Sequence, residues 1–208
     1  MQVELVDHMG TDLSVVNAAR VSYAGHKDVM DAKDEKLISY LAKHNHWSPF
    51  SHASLQFRIS APIFVARQLV KHQVGLSWNE VSRRYVSYKP DLYAIKEWRG
   101  KPKDSKQGSA GTVPLSEDDE LMYASTMIAC EELYQRLLDL GIAPEQARAV
   151  LPQSMMTEWY WSGSLYAFAR VCNLRCAKDT QLETQMVANE IDTICAKQFP
   201  ISWKYLRV

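Results

Sequence analysis

Between Lys71 and Tyr85 the chain reads K-H-Q-V-G-L-S-W-N-E-V-S-R-R-Y. This one stretch holds an amine, an imidazole, amide and carboxylate groups, two serine hydroxyls and two guanidiniums. Lys and Arg meet phosphate oxygens, while Asn and Gln meet the edges of heterocycles. A segment that served only the core would keep an apolar period of 3.6 or 2. Here the period lapses after Val70, and a weak alternation returns from Val81. These residue types suit a site for an anion and a ring, and they equally suit a polar surface loop.

The alternation predicts a strand over Val81–Tyr88. On a strand Ser82 and Arg84 project from the same face, where a hydroxyl beside a guanidinium would clamp a phosphate. The alternative is that Arg83 and Arg84 face solvent. Ser82 is a poor candidate nucleophile. Its nearest base in sequence, His72, stands ten residues earlier across an element boundary, with no acid placed to orient it. Further candidates are His46 and His52 in a polar turn with Ser48 and Ser51. Arg148 stands before Leu151-Pro152, where a surface ion pair is the default. Arg175 follows Asn173-Leu174 at a helix end, where a cation can simply cap the helix. The chain has no G-x-G-x-x-G after a strand, no P-loop and no G-x-S-x-G elbow.

The elements that must position these groups follow from patterning. Gln2–Val6 reads as a strand, and Thr11-Asp12 caps a helix through Ala19. A second helix runs from Asp31 to His44. Leu55, Phe57 and Ile59 alternate with Gln56, Arg58 and Ser60 in a strand with one buried face. Pro62 opens a helix that continues to His72. Ser116 and Asp119 form a capping-box pattern for a long helix stopped by Gly141, with Ala124, Met127, Ile128, Tyr134 and Leu137 inward. Pro144 starts a helix that ends near Leu151. Thr157–Ser162 is a strand, and Ser164–Leu174 and Thr180–Gln198 are helices. Residues 101–111, K-P-K-D-S-K-Q-G-S-A-G, read as a mobile loop. Helices and separated strands without βαβ alternation imply a single α+β domain over residues 1–208 with an antiparallel sheet.

Composition bounds the function. The 208 residues are 47% hydrophobic and 23% charged, a globular profile. Lys plus Arg equals Asp plus Glu at 24 each, so neither nucleic acid nor a membrane is expected as partner and any basic site must be local. The start, M-Q-V-E-L-V-D-H, lacks a signal-peptide pattern, and no apolar run reaches membrane-span length. A cytoplasmic chain is expected, with Cys130, Cys172, Cys176 and Cys195 reduced. Their spacing has no CxxC, so they read as packing residues and not as metal ligands.

Taken together, the motifs resemble one family. The order H-x-S-P-F-x-H, A-P-I-F-V, K-H-Q with S-W-N-E-V-S-R-R-Y, A-R-x-V-L-P and N-L-R is similar to the flavin-dependent thymidylate synthases, from Ala18 to Glu183. The family pattern is R-H-R followed by S-x-N-E-x-S-x-R-Y. This chain has Lys71 and Gln73 where arginines are usual, and one extra residue between His72 and Ser77. The family's asparagines and arginine before N-L-R correspond here to Ser164, Tyr166 and Arg170, and Asp179 replaces a frequent His.

The resemblance implies a homotetramer with sheet and sites shared between copies. It implies FAD as cofactor and conversion of deoxyuridine monophosphate (dUMP) to thymidine monophosphate (dTMP). Methylenetetrahydrofolate would donate the carbon and NADPH the electrons. By the same likeness Gln68, Lys71, Glu80, Val81, Ser82, Arg83, Arg84, Arg148 and Arg175 hold the nucleotide. Arg175 and Ser82 act at the reacting nucleotide, Ser82 by binding and not by attack. The flavin set is Ser22, His46, Ser48, Ser51, Lys71, His72, Gln73, Val74, Asn79, Glu80, Ser164, Tyr166 and Arg170. Two alternatives stay open: a pyrimidine nucleotide hydroxymethylase on the same site, and a nucleotide-binding protein that has lost flavin catalysis.

Overall fold

The alternation of Leu55, Phe57, Ile59 and Ala61 with more polar neighbours buries all four on one face of a strand. In the computed structural model, which describes residues 1–103 and 108–208, this strand is β2 (Ser54–Pro62). Before it come β1 (Gln2–Met9), α1 (Asp12–Arg20) and α2 (Ala32–Lys43). After it come α3 (Ile63–Leu69), β3 (Leu76–Glu80), the short β4 (Arg99–Gly100) and β5 (Ala110–Thr112), and the long α4 (Glu117–Asp139). The chain closes with α5 (Pro144–Ala147), β6 (Met156–Ser164), α6 (Leu165–Arg175), α7 (Leu182–Gln198) and α8 (Pro200–Leu206).

The main sheet is antiparallel throughout, in the order β1-β2-β6-β3. Phe57 lies opposite Trp161, and Ile59 opposite Trp159. Trp78 of β3 stacks on Trp159 with ring centroids 4.4 Å apart, and Phe168 of α6 meets Phe57 edge-on at 4.9 Å. Such aromatic pairs add about 0.5–1.5 kcal/mol each beyond burial. The mixed helix and antiparallel sheet architecture is the α+β class expected. Among the described residues no helix is long and apolar enough to cross a membrane.

The third strand of the sheet is not where patterning put it. It spans Leu76–Glu80, and Val81–Tyr88 is a run of turns. Gly75 starts it with φ +77°, a left-handed backbone that glycine adopts without strain. Opposite, a Cβ on Gly163 would stand 2.6 Å from the Gly75 carbonyl oxygen, so only glycine lets β3 approach β6 there. The ladder ends as the Val81 N–H bonds the Glu158 carbonyl at 2.9 Å. The chain then folds back, with the Tyr85 and Val86 amides donating to the Ser82 carbonyl. The Ser82 hydroxyl also accepts from the Arg84 amide at 3.3 Å. Local hydroxyl-to-backbone bonding here competes with further pairing.

Other boundaries shift. Pro62 ends β2 and is the N-cap of α3, which stops at Leu69 and not at His72. The first strand runs on to Met9, the 157–162 strand covers Met156–Ser164, and α7 starts at Leu182. Residues 104–107 of the loop expected over 101–111 lie outside the described residues, and from Ala110 the chain pairs with β4. The long α4 disagrees most. Of its five expected inward residues only Tyr134 is fully buried, while Ala124 and Ile128 are exposed. Among the described residues Tyr134 and Met127 are met by Val86 and Ser154, while Ala124 and Ile128 stay uncovered, and Leu121 and Met122 of the same helix are exposed as well.

Candidate functional site

Several of the groups singled out from the sequence line three cavities. The first, of 670 Å³, is walled by the end of α3, the β4–β5 hairpin and the α6–α7 connection. Gln68 and Lys71, three residues apart at the end of α3, line it with Phe64 and Trp98. The Gln68 Oε1 atom is buried and has no hydrogen-bond partner. A buried acceptor in that state calls for a donor from a ligand.

Arg175, the last residue of α6, faces the same cavity. Its Nε–H donates to His72 Nε2 at 2.9 Å. Burial, then the cations of Arg175 and Arg170, push the His72 pKa down to about 4, so the ring is neutral near pH 7. With Nε2 accepting, its proton sits on Nδ1. Across the cavity Arg99 Nη2 pairs with the buried Glu183 at 2.6 Å, and Arg99 Nε donates to Ser109 Oγ at 2.8 Å.

The second cavity, of 410 Å³, is lined by Glu80, Val81, Ser82, Arg83 and Arg148, with Leu151, Pro152 and Met155 as its apolar wall. The Glu80 carboxylate accepts from Thr157 Oγ1 at 2.8 Å and Trp78 Nε1 at 3.2 Å, which fixes it. With no strand over 81–88, Ser82 and Arg84 do not form the same-face clamp. Of the two adjacent arginines, Arg83 lines the cavity. It is only 6% exposed, donates to the Tyr88 carbonyl and lies over the Tyr88 ring. Arg84 is exposed and donates to the Tyr85 hydroxyl. Among the described residues Arg148 spends only its Nε–H, on the Glu145 carbonyl at 3.2 Å. His72 accepts from Arg175 and is no lining residue of this cavity, so it gives Ser82 no base.

The third cavity, of 550 Å³, is lined by Ser22, His46 and Ser48 with Tyr23, Tyr40 and Trp47. Tyr40 meets His46 edge-on at 5.9 Å, and Tyr166 lies 6.3 Å from Trp47. Ser51 and His52 follow in the same 3-10 turn but do not line it. Gln73, Val74, Asn79 and Arg170 are exposed on the surface, and the Ser164 hydroxyl caps α6 by accepting from the Ala167 amide at 3.2 Å. Trp98, Arg99 and Glu183, and the rings of Tyr23, Tyr40 and Trp47, escaped the sequence reading. Arg99 and Glu183 are 84 residues apart, and exposed aromatics carry no local signal.

Among the described residues, guanidinium and amine groups, an amide oxygen without a partner and an aromatic wall line these cavities, and such groups suit phosphates and heterocycles. The chain belongs to the family described as Thymidylate synthase complementing protein, which it matches over residues 4–201. It is 39% identical over 202 residues to a flavin-dependent thymidylate synthase of Thermus thermophilus, covering 97% of this chain and 73% of the relative. The counterpart from Kosmotoga olearia is 38% identical over 208 residues, covering 97% and 88%. Among solved structures, a UMP/dUMP methylase PolB from Streptomyces cacaoi bound with 5-Br dUMP superimposes with a TM-score of 0.86 at 34% identity. That match covers 98% of this chain and 93% of the other.

Proposed function

We propose that this chain catalyses the FAD-dependent reductive methylation of dUMP to dTMP and does so as a homotetramer. Methylenetetrahydrofolate supplies the one-carbon unit, and NADPH supplies the two electrons that turn a methylene into a methyl. The carrying observation is that the expected nucleotide residues, Arg84 excepted, fall into two cavities. Gln68, Lys71 and Arg175 line one, and Glu80, Val81, Ser82, Arg83 and Arg148 line the other. Arg83, Arg148 and the Ser82 hydroxyl suit a phosphate, while Gln68 and Arg175 suit the oxygens and N–H of a pyrimidine. A site made of two such halves is completed when a second copy of the chain joins them. The uncovered apolar face of α4 supports assembly, with Leu121 70% and Met122 62% exposed.

The residues present fit a flavin. The aromatic wall of the third cavity can carry a ring system, and Lys71 and Arg170 leave cations on the surface without carboxylate partners among the described residues. FAD would be held by Ser22, His46, Ser48, Ser51, Lys71, His72, Gln73, Val74, Asn79, Glu80, Ser164, Tyr166 and Arg170. When bound, the flavin supplies hydride chemistry, and the protein supplies position and charge. Arg175 stabilises negative charge on the pyrimidine as it is attacked. Ser82 binds without attacking.

The visible spectrum of the purified protein is the first test, because oxidised flavin absorbs where no amino acid does. Turnover is then assayed with UMP and dUMP, with and without NADPH. A yellow protein giving a methylated nucleotide only with NADPH supports this reading. A hydroxymethyl product without reductant favours the hydroxymethylase. A colourless protein that binds dUMP and makes no product favours loss of catalysis.

A further inference from the structure

We propose that His72 is a positioning residue, an uncharged hydrogen-bond acceptor that orients the Arg175 guanidinium toward the pyrimidine without cancelling its charge. This rests on the reading of Arg175 as a nucleotide ligand given above.

The geometry carries the inference. A guanidinium has five N–H donors in a fixed plane. Arg175 spends Nε–H on His72 at 2.9 Å, which fixes the plane and leaves four N–H groups on Nη1 and Nη2. The cavity beyond also holds Lys71 and the unpartnered Gln68 Oε1. The imidazole is itself held, because the His72 amide bonds the Leu69 carbonyl at 3.0 Å and closes the last turn of α3. Gln68 and His72 therefore move with one turn of backbone, and Arg175 arrives from the end of α6.

The choice of partner matters. Other partly buried arginines are closed by carboxylates at 2.6 Å: Arg20 by Asp34, Arg99 by Glu183 and Arg207 by Asp192. A carboxylate in place of His72 would fix the guanidinium equally well but offset its charge where water is partly excluded and charge counts most. An imidazole accepting through Nε2 fixes it and leaves that charge for the ligand. The Nδ1–H remains as one donor, so a flavin contact by the same ring is compatible with this role.

The test is a double-mutant cycle on dUMP affinity in the FAD-loaded protein, with the flavin spectrum and the melting temperature recorded for each variant. His72→Ala should weaken dUMP binding about tenfold, a step of about 1.4 kcal/mol. In an Arg175→Ala background the same change should cost less than about twofold, because its effect runs through the arginine. His72→Gln, whose amide oxygen can accept from Nε–H, should recover most of the affinity and serves if His72→Ala fails to fold. Equal losses in both backgrounds would show that His72 acts independently and would overturn the inference. So would loss of flavin colour from His72→Ala with dUMP affinity intact. If Arg175→Ala itself binds dUMP normally, the reading of Arg175 fails first and the inference with it.

Discussion

Ser82 and Lys71 carry their chemistry on single side chains, and each can be tested alone. Among the described residues Ser82 Oγ accepts only a long bond from the Arg84 amide, which leaves its hydroxyl proton to donate to a phosphate oxygen. Ser82→Ala should raise the dUMP requirement by the equivalent of about 1.5–3 kcal/mol and leave measurable turnover. A nucleotide trapped covalently on Ser82, or turnover abolished at saturating dUMP, would contradict a binding role. Lys71 stands where the resembled family has an arginine. An ammonium is a point charge that cannot form a two-pronged bond to an anion. Lys71→Ala should bind dUMP or FAD at least tenfold more weakly, and Lys71→Arg should match or exceed the native chain. Three proteins with the same titration curves would remove Lys71 from the site.

At the scale of elements, the corner between α1 and α2 forms one wall of the aromatic cavity and rests on a buried carboxylate. Asp34 is fully buried and takes bonds from Arg20 at 2.6 Å and Lys27 at 2.8 Å. Burial opposes its ionisation, but the bonds from Lys27, Arg20 and the Asp31 amide outweigh that and hold its pKa at about 2. A depressed carboxyl contributes stability that is present above its unfolded pKa and lost as pH falls through the folded one. The corner should therefore loosen between about pH 4 and pH 2. Asp34→Asn should cost about 1–3 kcal/mol at pH 7, with the cost shrinking across that window. Chemical denaturation at pH 7, 4 and 3 checks this, and a cost that stays constant with pH would refute it. At the sheet, Gly75 turns the chain into β3 and Gly163 of β6 makes room for it, and neither position shows in apolar periodicity.

For the whole molecule, the division of the nucleotide residues between two cavities predicts complementation between inactive chains. Arg83→Ala removes a cation from the Ser82 cavity, and Arg175→Ala removes one from the Gln68 cavity. If each site takes one cavity from each of two copies, mixed oligomers of the two variants contain some sites with both halves intact. Unfolding and refolding the variants together should then restore turnover that neither has alone. Light scattering should report a tetramer before and after mixing. A mixture as inactive as its components would mean that each chain builds its whole site.

The sequence by itself determined the strands β2 and β6, the long helices and the family, because alternation, caps and ordered motifs are local signals that survive in one dimension. It also singled out Arg175 and His72 by residue type. Only the tertiary structure decided that these two, 103 residues apart, touch each other, and that Arg83 and not Arg84 joins Ser82. The first depends on two helix ends meeting, which no spacing encodes. The second depends on a turn in which the Ser82 hydroxyl and carbonyl take backbone amides that a strand would have paired elsewhere. The exposed face of α4 has the same kind of origin. Its apolar residues repeat as a buried helix would, and periodicity cannot say whether the rest of the chain covers them.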